Sequence, residues 1–85
     1  MSMTDTLRTR LTEAFSPYRL EILDESESHR GHAGYQDGGE SHFRVTIRAA
    51  AFASMGRIER HRAVHAALGP AVIGRIHALA LDVAA

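Results

Sequence analysis

The sequence predicts a two-layer α+β domain: a three-stranded sheet with helices on one face, in the order αββααβ. Three observations predict it. Apolar residues near the N-terminus recur at helical spacing. Two segments, residues 18–23 and 42–48, alternate apolar with polar side chains. A last alternating run follows a Gly-Pro break near the C-terminus. The 85 residues make a single domain, residues 1–85. A chain this short buries a limited fraction of its surface, so stability is modest.

Met3, Leu7, Leu11, Ala14 and Phe15 form one stripe of the first helix, with Thr4 or Asp5 suited to cap its start and Ser16-Pro17 to end it. In the first strand, Tyr18, Leu20 and Ile22 face one way and Arg19 and Glu21 the other. Residues 24–40 are polar and carry Gly31, Gly34, Gly38 and Gly39. A loop of this length inside a small domain is usually functional or mobile. Phe43, Val45 and Ile47 then alternate with His42, Arg44, Thr46 and Arg48, and the two strands pair as a hairpin with one face buried. Ser54 suits the cap of a second helix reaching about residue 68, with Ile58, His61, Val64, His65 and Leu68 on one side. Gly69-Pro70 breaks that helix, and Pro suits the first position of a new one. Residues 71–73 make a single turn closed by Gly74. Residues 76–83 form the last strand, with His77, Leu79, Leu81 and Val83 in one phase and Ala78, Ala80 and Asp82 in the other.

Composition narrows the function classes. The chain has no cysteine, which excludes disulfides and any zinc site built on its own thiolates. That fits a reducing compartment, and a cytoplasmic location is expected. No apolar stretch approaches a membrane span and the N-terminus lacks a signal-type apolar core, so neither secretion nor membrane insertion is expected. The net charge of zero divides unevenly. Residues 1–41 hold four arginines against eight acids, and residues 42–85 hold six against two. Mixing of both halves on the folded surface is the preferred reading over a dedicated basic face. Ser41 and His42 point to opposite faces of a strand and cannot act as nucleophile and base. No paired carboxylates or phosphate-cradling loop are present, and an enzyme is not expected.

Six histidines are the chemical feature that remains. Imidazole is the commonest protein metal ligand. His29 and His32 lie in the Gly-containing stretch His29-Arg30-Gly31-His32, and His77 opens the apolar run His77-Ala78-Leu79-Ala80-Leu81. Three imidazoles also suffice chemically for a mononuclear zinc, nickel or copper site. His61, in the second helix stripe, reads as a structural histidine donating to a backbone carbonyl, His65 reads likewise, and His42 reads as a cap or turn contact. Arg57, Arg60 and Arg62 are candidate nucleic-acid contacts. Arg60 and Arg62 diverge by about 160° around a helix, which favours solvated charges over a single reading face.

Asp24-Glu25-Ser26, the His-containing Gly loop, Glu40-Ser41-His42-Phe43, Arg60-His61-Arg62 and the run from His77 to Leu81 follow one another in the order found in the BolA family, which the chain resembles over roughly residues 4–83. The resemblance implies a KH-like fold. It also implies an iron–sulfur adaptor that pairs with a monothiol glutaredoxin and shares a bridged [2Fe–2S] cluster in cluster trafficking or iron and redox sensing. Sulfur would come from the glutaredoxin cysteine and glutathione. This chain would supply His77 and a loop histidine. Counting forward from Asp24 favours His29; counting back from Phe43 favours His32. Iron–sulfur clusters accept two histidines on one iron. A ligating imidazole must be neutral, so acid weakens such binding. The alternative implied by the family is a DNA-binding transcriptional regulator using the helix-turn-helix region and the basic C-terminal half. Here the turn Ala53-Ser54-Met55-Gly56 lacks the first glycine of the Gly-x-x-Gly loop with which KH domains clamp nucleic acid, which favours cluster binding.

Overall fold

The computed structural model describes residues 2–25 and 42–85. The elements follow the expected order: α1 (Met3–Phe15), β1 (Arg19–Asp24), β2 (His42–Arg48), α2 (Arg57–Leu68), α3 (Pro70–Ile73) and β3 (Ala78–Ala84), with a short 3₁₀ turn, Ala50–Phe52, between β2 and α2. The strands lie in the order β1-β2-β3. β1 pairs with β2 antiparallel, as the expected hairpin, and β3 joins β2 in parallel. A parallel neighbour requires a crossover, which α2 and α3 supply.

β2 is the centre of the molecule. Phe43, Val45 and Ile47 are buried beneath the helices. Met3, Leu7 and Leu11 of α1 meet them, together with Val64 and Leu68 of α2, Val72 of α3, and Ala49 and Phe52. Phe15 packs on Phe52 with ring centroids 4.7 Å apart. The flanking strands contribute half-buried Leu20 and Ile22 from β1 and Leu79, Leu81 and Val83 from β3.

Several boundaries differ from the sequence expectation for definable reasons. Ser2, not Thr4 or Asp5, caps α1. Its hydroxyl accepts from the Asp5 backbone N–H at 3.1 Å, and the Asp5 carboxylate accepts from the Ser2 N–H at 3.4 Å. This is a capping box of the Ser-x-x-Asp kind. Ser54 does not cap α2. The 3₁₀ turn continues through Met55 N–H donating to the Phe52 carbonyl at 3.1 Å, and the helix begins only after Gly56. The last strand begins at Ala78, not residue 76. Arg75 and Ile76 N–H groups still donate back to the Val72 and Ile73 carbonyls at 3.0 and 3.2 Å, which holds the chain in a turn.

The core face of α2 is also rotated from the expected one. Ile58 is 67% exposed and His65 is exposed, while Val64 and Leu68 are buried with Ala63 and Ala67 half-buried. Arg10 of α1 secures the end of this helix by donating from Nη1 to the Leu68 carbonyl at 3.2 Å. A cation there also suits the negative end of the helix dipole.

Candidate functional site

One end of the sheet gathers the chemistry. β2 and β3 run parallel and both start there, with His42 opposite Ala78 in the register. β1 ends there: Asp24 pairs with Phe43, and the Glu25 N–H donates to the His42 carbonyl at 2.7 Å. The chain therefore leaves the sheet at Glu25 and returns at His42, at the end where His77 stands.

His77 sits in the bend one residue before β3 and is exposed. The bend takes it out of the strand's alternation. Its ring lies against His42 at the rim, not under the helices with Leu79 and Leu81: the two ring centroids are 4.9 Å apart and the planes are inclined at 45°. His42 itself is half-buried and belongs to the open-face phase of β2, opposite to Phe43. Beside the pair is a shallow depression of about 260 Å³, lined by Glu25, His42, Phe43, Ala78, Leu79 and Ala80. Arg44 Nε lies 3.4 Å from the Glu25 carboxylate.

From the sequence, His77 is a ligand candidate and His42 a cap or turn contact; the parallel register of β2 and β3, with His42 opposite Ala78, brings the two rings together. The loop candidates, His29 and His32, lie outside the described residues.

Among the described residues no group of three or more His, Cys, Asp or Glu side chains is placed to hold a metal ion. A mononuclear site enclosed by the described residues alone is therefore not formed. An exposed imidazole at the rim, with a second beside it, has the nitrogen chemistry of one half of a site whose thiolates come from elsewhere.

The arginine candidates separate. Arg60 is half-buried and donates from Nε to the Phe52 carbonyl at 3.0 Å, tying α2 to the 3₁₀ turn. Arg57 and Arg62 are exposed and, with Ile58, His61 and His65, line a shallow groove of about 450 Å³ on the outer side of α2. His61 makes no side-chain hydrogen bond among the described residues, so the expected donation to a backbone carbonyl is absent. The two charge-uneven halves meet through Arg44 and Glu25, whereas Arg48 pairs within the basic half, with Asp82 at 3.1 Å. No helix among the described residues is long and apolar enough to cross a membrane.

Comparison with known proteins agrees with this architecture. The chain is 49% identical over 86 residues to an uncharacterized protein in the cobS 5′ region of a Sinorhizobium species, covering 100% of this chain and 92% of that one. It is 43% identical over 76 residues to BolA-like protein 1 of Homo sapiens, covering 89% of this chain; the match spans about half, 53%, of the human protein. It is 35% identical over 77 residues to the DNA-binding transcriptional regulator BolA of Vibrio cholerae, covering 91% of this chain and 69% of that protein. Among solved structures, BolA1 from Arabidopsis thaliana superposes with a TM-score of 0.79 at 33% identity, over 94% of this chain and 87% of that one. The BolA domain of SufE1 from the same plant gives 0.81 at 30% identity, over 99% and 92%. The sequence pattern of BolA-like proteins matches residues 11–85, from the core residue Leu11 through the whole sheet and both histidines of its rim, and the chain belongs to that family.

Proposed function

We propose that this protein is an iron–sulfur adaptor that pairs with a monothiol glutaredoxin and co-ligates a bridged [2Fe–2S] cluster, in cluster trafficking or iron and redox sensing. The partner's cysteine and glutathione supply the thiolates this chain lacks. His77 supplies one nitrogen, and His29 or His32 the second. The observation that carries the reading is the position of His77: exposed, at the rim, on the end of the sheet where both anchors of the His29–His32 segment are held. A side chain so placed meets a partner's metal without disturbing the core. The protein acts by binding and not by turnover, and the lack of cysteine suits a cytoplasmic setting. The test is co-expression with a monothiol glutaredoxin. The complex should co-purify coloured, and the combined His29→Ala/His32→Ala variant should change its visible spectrum. A colourless complex, or none, contradicts the reading.

A second reading, a DNA-binding regulator, draws on the similarity to the Vibrio cholerae BolA regulator and on the exposure of Arg57 and Arg62. Phosphate contacts release counterions, so such binding falls steeply with salt. Gel shifts at increasing salt should then show Arg57→Ala and Arg62→Ala each weakening binding; indifference to both contradicts a role for the outer side of α2.

A further inference from the structure

We propose that His42 and His77 form a two-imidazole site that binds one borderline divalent cation, copper(II) most tightly, in the isolated chain. The proposal shares His77 with the glutaredoxin reading but uses neither the loop histidines nor a partner's thiolate, so the His42 and loop variants tell the two apart.

The geometry is the argument. The rings come from the heads of adjacent parallel strands, and their centroids are 4.9 Å apart. A metal about 2.05 Å from an imidazole nitrogen lies about 3.2 Å from the ring centre. Two rings on one metal then have centres about 4.5 Å apart at a right angle and about 5.2 Å apart at a tetrahedral angle. The separation of 4.9 Å falls between these limits, so one cation can join the rings when each imidazole turns a nitrogen toward it. His77 is exposed, so a cation reaches the pair from solvent, and Ala78 and Ala80 leave the adjoining depression open.

The surroundings set the character of the site. Glu25 borders the same depression but has Arg44 against its carboxylate, and no third ligand among the described residues completes a cage. The remaining coordination positions belong to water, which makes the site exchangeable. Imidazole nitrogen selects zinc, nickel and copper over magnesium and calcium, and copper(II) heads the affinity order for divalent ions.

The experiment uses the tag-free full chain and copper(II) chloride. At substoichiometric copper, paramagnetic broadening in the amide proton–nitrogen spectrum should centre on His42, Phe43, His77 and Ala78. Electron paramagnetic resonance should show imidazole nitrogen coupling. His42→Ala and His77→Ala should each lower the affinity by about tenfold or more, because each removes half of the protein's ligands. The His29→Ala/His32→Ala double variant should bind like the parent. His42→Asn and far-ultraviolet circular dichroism control for folding, and the broadening experiment needs no variant. Broadening centred elsewhere, unchanged affinity in a folded His42 variant, or loss of binding in the loop double variant each overturns the proposal; the ring contact is then packing alone.

Discussion

At the scale of single residues, position within the fold separates side chains that look alike in the sequence. Arg60 and Arg62 share one short motif, yet Arg60 Nε is bonded to the Phe52 carbonyl and Arg62 is exposed. Arg60→Ala is therefore expected to cost about 1–2 kcal/mol, since it removes a charged donor from a half-buried carbonyl, whereas Arg62→Ala should stay within about 0.5 kcal/mol. Urea unfolding of the two variants checks this, and equal effects would contradict the assigned roles. The histidines divide in the same way. The family resemblance singles out His77 as a ligand candidate; the place of His42 beside it depends on a strand pairing 36 residues apart in the register. His77 is exposed, so His77→Ala should change stability by no more than about 0.5 kcal/mol, which leaves it a clean probe of metal binding.

At the scale of elements, legibility followed the strictness of the pattern. β2 alternates without exception, and both its boundaries and its buried face were readable from Phe43, Val45 and Ile47. α2 was readable as a helix but not in its orientation. Ile58, His61 and His65 mimic a stripe, while the true core face combines Val64 and Leu68 with the small residues Ala63 and Ala67. Small side chains weigh little in a periodicity yet permit close packing. The helix ends carry the strained backbone. Gly69 has φ +86° and ψ 156°, a conformation that is nearly confined to glycine. Gly69→Ala should destabilise by about 1–3 kcal/mol, although the added methyl would have room, 3.6 Å from Arg10. Ser16 ends α1 in the left-handed region at φ 46° without being glycine. Ser16→Gly should stabilise by about 0.5–1 kcal/mol in thermal unfolding. The opposite sign for either variant would contradict the backbone assignment.

At the scale of the whole molecule, a small core supports an exposed chemical end. An 85-residue domain has a total stability of about 4–13 kcal/mol. Phe52 is fully buried, packs on Phe15 and lies where the 3₁₀ turn meets α2, so Phe52→Ala should cost about 3–5 kcal/mol and consume much of that margin. Denaturant unfolding would show it; a loss under 1 kcal/mol would contradict the core described. The same core fixes β2 and β3 side by side and so brings His42 and His77 to one rim, with Glu25 and His42 holding the ends of the segment that carries His29 and His32. The central claim is that this rim supplies nitrogen to a cluster whose sulfur comes from a glutaredoxin. Visible circular dichroism of the purified complex, parent against His77→Ala, tests it most directly. The account predicts that the variant still folds but loses or reshapes the cluster bands; a spectrum identical to the parent's would contradict it.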